Sequence, residues 1–322
     1  MAQSKLENQT VLTEFILLGF GNLGDQWSLL FFLFSVIYIV TMAGNILIIA
    51  LVVVDCHLHT PMYFFLGNLS CLETCYSSNI LPLMLANFFN GGQRVISVTG
   101  CMIQYYFFGF LAASECYLLA AMSYDRYVAI CKPLFYTTLM NSKVCFQLVA
   151  CSWISGSLAI NITIYLMHQL KFCGSGEINH FFCDFNPILK LSCSDTQIIK
   201  PLTAFLAAVC SLPPFLLTLA SYIYIISTIV RIPSISGRQK AFSTCSSHLI
   251  VVSIFYSTIM IVYILPKTDT LQDLNKVFSL FYTVLTPLFN PLIYSLRNRE
   301  VKVVFRKAVT KFCASKRIQS FK

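Results

Sequence analysis

Met122-Ser-Tyr-Asp-Arg-Tyr-Val-Ala-Ile-Cys131 closes a long apolar run with an acid and a guanidinium side by side. Upstream, residues 101–121 carry one charge, Glu115. Charge inside a bilayer is costly, so the Asp125–Arg126 pair belongs at the mouth of a membrane helix, where water and headgroups begin. Two readings fit it. One is a juxtamembrane salt bridge that marks a helix end. The other is a latch, an ion pair that opens and hands Arg126 to another partner.

The rest of the chain has the composition of an integral membrane protein. Its 322 residues are 57% hydrophobic and 11% charged, with mean hydropathy +0.73. Soluble domains carry about 25% charge. Seven apolar segments reach the roughly 20 residues that a spanning helix needs: 27–54, 62–87, 98–130, 144–167, 201–230, 241–265 and 276–296. Pro61 suits the first turn of the second helix. Pro213-Pro214 is expected to interrupt the fifth span, and Pro287 and Pro291 fall in the seventh. A basic connection, 231–240, precedes the sixth. Segment 15–20 is too short for a cleaved signal sequence, so the first span doubles as the targeting signal.

These spans form one domain: an extracellular N-terminus over 1–26, a helix bundle over 27–296 and a cytoplasmic tail over 297–322. In the tail Val301, Val304, Phe305, Ala308, Val309 and Phe312 recur at helical spacing among basic residues, the pattern of a short amphipathic helix on the membrane surface. With the N-terminus outside, fifteen Lys and Arg fall on the cytoplasmic side and seven outside, as the positive-inside rule requires. The glycosylation acceptor Asn8-Gln-Thr10 then faces the lumen. The net charge of +9 sits at span ends rather than on one soluble face, which excludes a nucleic-acid partner. No Walker loop, His-Glu-x-x-His or Gly-x-Ser-x-Gly is present, so no enzyme is indicated.

Most of the fourteen cysteines lie in apolar runs and act as small hydrophobes. Cys101, Cys173, Cys183 and Cys193 fall on the oxidising outer side, where an even number implies disulfides, with three pairings open. His180-x-x-Cys183 also has a metal-ligand spacing. Glu73 and Glu115 sit at mid-membrane depth, with the amides Asn45 and Asn290 at similar depth. Held close, two carboxylates cannot both ionise without a counter-charge. The alternatives are a cation site and a protonated, hydrogen-bonded pair; Asn45 also suits helix–helix hydrogen bonding. Lys240-Ala-Phe-Ser-Thr-Cys-Ser-Ser-His248 opens the sixth span with six small or polar residues in succession, either a face that meets protein or water or a frayed helix N-terminus with Ser/Thr caps.

Met122–Cys131 resembles the signature of the olfactory receptors, a branch of the rhodopsin-like G-protein-coupled receptors. Leu58-His-Thr-Pro-Met-Tyr-Phe-Phe-Leu66, Ser221-Tyr222, Lys240–Leu249 and Pro287-Leu-Phe-Asn-Pro-Leu-Ile-Tyr-Ser-Leu-Arg-Asn298 agree in order and spacing. The loop and apolar pocket look like the tetrapod-type (class II) members. The resemblance implies an all-α seven-transmembrane bundle and the disulfides Cys101–Cys183 and Cys173–Cys193. It implies a latch and G-protein-coupling set of Asp125, Arg126, Tyr127, Tyr222, Lys240, His248, Asn290, Pro291 and Tyr294. Asn45, Glu73, Glu115 and Asn290 would hold a structural sodium ion, with Glu73 in place of the commoner Asp; no other cofactor is implied. Ser123 replaces the usual Ala, expected to be neutral.

By the same resemblance, the ligand pocket would take Phe108, Gly109, Ala112, Ala113 and Cys116 from the third span. Leu206, Ala207 and Cys210 would come from the fifth, and Tyr256, Ile259, Met260 and Tyr263 from the sixth. Ser257 stands where Gly is usual and is expected to alter the pocket floor. The set is apolar with two phenols, no buried base and no acid beside Phe108. It suits a small hydrophobic volatile. The partners implied are that odorant, the olfactory stimulatory G protein that raises cyclic AMP, and the bilayer. The location implied is the plasma membrane of sensory cilia. Cys313 is a palmitoylation candidate. The alternatives are a receptor of the same family for a non-olfactory metabolite and a small-solute transporter; an odd span number without internal repeats argues against the transporter.

Overall fold

The structure, a computed structural model, describes residues 12–21, 26–89, 93–264, 272–297 and 303. Asn8, the tail beyond Arg297 apart from Val303, and Cys313 lie outside the described residues. Among the described residues, seven long helices form the body: α1 (Trp27–Val54), α2 (Pro61–Phe89), α3 (Val98–Cys131), α5 (Ser142–His168), α7 (Ile199–Arg231), α8 (Ile235–Ile264) and a composite seventh. The seventh runs as α9 (Gln272–Leu280), a π turn (Phe281–Leu285) and α10 (Thr286–Arg297). Two short helices, α4 (Tyr136–Leu139) and α6 (Phe185–Leu189), lie in loops.

Among the described residues, five helices are long and apolar enough to span a bilayer, six if the bent α8 counts as one span. The remaining helix is α2. It has the length, at 29 residues, but buries Glu73, Ser70, Ser77 and Asn87 against its neighbours. Its polar residues face protein rather than lipid, which is how a bundle tolerates them.

Three boundaries differ from the sequence reading. Pro213 and Pro214 do not interrupt the fifth span; α7 runs through both. The prolines only remove the i+4 donors of the Val209 and Cys210 carbonyls, a loss that membrane helices tolerate. The sixth helix begins at Ile235, so residues 235–240 are helix rather than connection. Ser234 starts it: its Oγ accepts from Gly237 N at 3.1 Å, as an N-cap does. The seventh span is broken by the π turn, which lies just before Pro287. That proline cannot donate to the Thr283 carbonyl, so the local helix widens.

Close approach of backbones sets the bundle. A Cβ on Gly156 of α5 would lie 2.6 Å from the Phe110 carbonyl and 2.9 Å from Ser114 N, both on α3. Small residues at such crossings let membrane helices pack by backbone contact. One core layer fills the half of the bundle nearest the N-terminal strand, around Tyr76, Phe108, Phe181, Phe182 and Tyr282. A second fills the opposite half around Phe65, Leu119, Met122 and Phe255.

A feature unread in the sequence caps the end of the bundle that carries the long loop. β1 (Glu14–Leu17) pairs antiparallel with β2 (Arg94–Ser97), Glu14 opposite Ser97, and parallel with β3 (Glu177–Ile178), Ile16 opposite Glu177. Phe15 and Leu17 are fully buried in the first core layer. Further bonds, Leu12 N to Phe172 O at 3.0 Å and Leu18 N to Ile178 O at 2.9 Å, zip the N-terminal segment to the long loop.

Candidate functional site

The long loop is held by both disulfides, Cys101–Cys183 and Cys173–Cys193. The first ties it to the top of α3. Gln104 of α3 adds a bond, its Oε1 accepting from Cys183 N at 3.0 Å. The His180-x-x-Cys183 metal reading fails here, because Cys183 sulfur is consumed in the bridge. His180 is buried instead, stacked on Phe181 and edge-on to Phe182.

Beneath this loop lies a cavity of about 410 Å³. Of the twelve pocket residues read from the sequence, ten line it: Phe108, Gly109, Ala112, Ala113, Cys116, Leu206, Ala207, Cys210, Ile259 and Met260. Tyr256 does not. It is buried against Phe215, and its hydroxyl donates to the Cys116 carbonyl at 3.0 Å. The side chain of Tyr263 lies outside the described residues. Ser257 is exposed and bonds back to Ser253 O of its own helix, so it forms no part of the floor.

Several lining residues were missed. Ala159, Ile160 and Thr163 come from α5, and Tyr282 from the π turn. Ile160 follows Gly156 by one turn, so the close α3–α5 crossing brings that face to the cavity. The wall is also less uniformly apolar than expected. Asp184, Asn186 and Lys200 contribute polar groups from the loop and the start of α7. Asp184 is buried, and its Oδ1 accepts from Phe185 N at 2.8 Å at the start of α6. Proximity of these loop residues to Phe108 depends on the disulfides and is not written in local spacing.

At mid-depth, Asn290 Nδ2 donates to Glu73 Oε1. Asn45 Nδ2 donates to Thr41 O at 3.1 Å and Pro287 O at 3.3 Å, joining α1 to α10. Glu73 and Glu115 lie within electrostatic reach of one another. Glu73 Oε2, Glu115 Oε1, Asn45 Oδ1 and Ser77 Oγ are buried without partners among the described residues. Such orphaned oxygens are costly. An all-oxygen set of this kind suits a hard cation.

At the opposite end of the bundle from the cavity, the Asp125–Arg126 ion pair is formed. Arg126 Nη2 and Nε donate to Asp125 Oδ2 at 2.8 and 3.1 Å. A third member went unread: Tyr136, in the loop helix α4, donates to Asp125 Oδ1 at 2.8 Å. Burial first, and then the neighbouring Asp125 carboxylate, holds the Tyr136 phenol above its ordinary range, so it stays a donor. Asp125 is fully buried, and both its oxygens are satisfied. Tyr222 is engaged elsewhere: its hydroxyl and His248 Nδ1 share a 2.6 Å bond between α7 and α8. Tyr127 packs against Tyr124 and Tyr224, with the Lys132 ammonium 5.9 Å from its ring centroid. Lys240 is exposed on α8, and Pro291 packs beside Gly44 of α1. The side chain of Tyr294 lies outside the described residues. Ser123 is buried with its hydroxyl on Leu119 O at 2.9 Å, so it adds no unpaired group.

Comparison with known proteins adds to this geometry. Residues 34–312 match a family model described as "Olfactory receptor". The chain is 48% identical to Olfactory receptor 2AP1 of Homo sapiens, over 95% of this chain and 99% of that one. It is 49% identical to Olfactory receptor 6B1 of Homo sapiens, over 97% and 99%. It is 48% identical to Olfactory receptor 5G9 of Mus musculus, over 95% and 97%. Among solved structures it is similar to squid rhodopsin, with TM-score 0.68 at 15% identity over 89% of this chain and 86% of that one.

Proposed function

Because the chain belongs to the olfactory receptor family, multi-pass membrane proteins with the rhodopsin-like seven-helix fold rather than enzymes, we propose that it is an odorant-activated receptor. A small, mainly hydrophobic volatile binds in the cavity between α3, α5, α7 and α8. Binding favours a state in which α8 moves outward and the olfactory stimulatory G protein docks, raising cyclic AMP. The N-terminus faces outside, and the receptor resides in the membrane of sensory cilia.

The observation that carries this reading is the cavity itself. Its volume, about 410 Å³, lies in the range of small-molecule sites. Its walls come from helices that also carry the latch and the Tyr222–His248 contact. A ligand shifts the equilibrium only by its differential affinity for the two states. A cavity shared by α3, α7 and α8 allows that, because relative movement of the three changes its shape. In the resting state Arg126 is held by Asp125 and Tyr222 by His248. Activation frees both, and Arg126, Tyr222 and Tyr294 then rearrange toward one another with Asn290 and Pro291. Tyr127, Lys240 and His248 belong to the same coupling surface.

The oxygens of Asn45, Glu73, Glu115 and Asn290 would hold a sodium ion, whose charge would offset the two carboxylates. The test of the overall reading is a cyclic AMP reporter in cells carrying the receptor and the olfactory G protein, screened with a diverse volatile panel. A concentration-dependent response to some volatiles, abolished by Ala113→Phe at matched surface level, is expected. Responses unaffected by that filling of the cavity would refute the site.

A further inference from the structure

We propose that the turn joining the first two spans is a zinc site built from Asp55, Cys56 and His57. Asp55 Oδ1, Cys56 Sγ and His57 Nδ1 all lie within 4.8 Å of one another. His57 Nδ1 is 2.8 Å from Asp55 Oδ1 and 3.8 Å from Cys56 Sγ. Three consecutive residues converge because the backbone folds tightly there. α1 ends as Asp55 N bonds Leu51 O at 3.0 Å, and a 3-10 turn follows over Cys56–Leu58. Asp55 Oδ1 also accepts from His57 N at 2.9 Å, and Leu58 N bonds Asp55 O at 3.0 Å. Leu58 is buried in the second core layer and anchors the turn. The donors are thus seated on fixed backbone while Cys56 and His57 stay open to solvent.

The donor set selects the ion. One sulfur, one imidazole nitrogen and one carboxylate oxygen suit zinc rather than the all-oxygen preference of calcium or magnesium. Zinc bonds of about 2.0–2.3 Å at tetrahedral angles put neighbouring ligand atoms roughly 3.3–3.6 Å apart. The His57–Asp55 and His57–Cys56 separations fall on either side of that spacing and the third pair lies within 4.8 Å, so side-chain rotation completes the set. A water fills the fourth position. Binding expels the Cys56 thiol proton, and the proton on His57 Nδ1 moves to Nε2 or to solvent. The ion then ties the end of α1 to the turn that seats Leu58. A cytoplasmic address for the site rests on the proposed orientation; the coordination chemistry does not.

The experiment uses full-length receptor purified in detergent micelles, with cobalt(II) and zinc as probes. The wild type takes one cobalt(II) with a thiolate charge-transfer band, and zinc displaces it. Losing a group that merely hydrogen-bonds to a ligand costs a metal site about 10–100-fold, so removing a direct ligand lowers zinc affinity by at least about tenfold. Cys56→Ser therefore loses the band, and His57→Gln weakens zinc by that factor. Both residues are exposed, so neither change disturbs the core, and an unchanged thermal melt of the metal-free variants checks this. No cobalt band in the wild type, or a band that survives Cys56→Ser, overturns the site. Neither result touches the receptor reading, which the volatile screen tests separately.

Discussion

Gly156→Ala is the sharpest packing test. The added Cβ would meet the Phe110 carbonyl at 2.6 Å and Ser114 N at 2.9 Å, where ordinary contact begins near 3.4 Å. The Ser114 hydroxyl lies closer still, but the Phe110 carbonyl and Ser114 N are α3 backbone and cannot rotate away, so α3 and α5 must separate by about 0.8 Å, the difference between 3.4 and 2.6 Å. Overpacking of this kind costs about 1–3 kcal/mol. At 1.4 kcal/mol per factor of ten, that is about 5-fold to 150-fold in the folded-to-unfolded ratio. The assay is surface display of an epitope-tagged receptor with the melting temperature of the detergent-solubilised protein. Both fall for Gly156→Ala. Ser114→Ala removes only a hydroxyl that bonds its own helix at Phe110 O, so it stays near wild type. Gly156→Ala at wild-type surface level and melting temperature would refute the backbone crossing.

Other consequences follow from named contacts. Tyr136→Phe removes one donor from buried Asp125. A hydrogen bond to a charged group is worth about 1.5–3 kcal/mol, so ligand-independent cyclic AMP should rise at least about tenfold at matched surface level; an unchanged baseline would show that the bond does not favour the resting state. Leu17→Asp places a carboxylate where the strand is fully buried, and surface display should be lost; normal display would mean that the N-terminal strand is not part of the folded cap. Ala112→Phe should abolish volatile responses at matched surface display, since the Ala112 side chain lines the cavity; retained potency would move the ligand elsewhere.

The helices were legible because each spans about the same length of lipid, and lipid demands apolar residues. α2 shows where that signal weakens: its buried polar side chains depress its hydropathy, and length plus neighbouring motifs identified it. Most of the cavity wall on α3, α7 and α8 was legible too, through helical spacing from Phe108 to Cys116 and the family resemblance. What escaped depends on contacts distant in sequence. β1, β2 and β3 are two to four residues long, too short for a pattern, and pair across the chain. Asp184 and Asn186 reach the cavity on a loop that is tied to Cys101, and Lys200 from the start of α7. Tyr136 looked like a loop residue until α4 brought its hydroxyl to Asp125. Pro213-Pro214 misled in the other direction, since the rule that proline breaks helices is weaker inside a bundle.

The account rests most heavily on Arg126 passing from the closed latch to a signalling role. The direct measurement compares wild type and Arg126→Ala in the cyclic AMP reporter, with an activating volatile and surface display matched. Loss of the response in the variant, with display retained, is the result the account predicts. A variant that still responds with wild-type amplitude would contradict it.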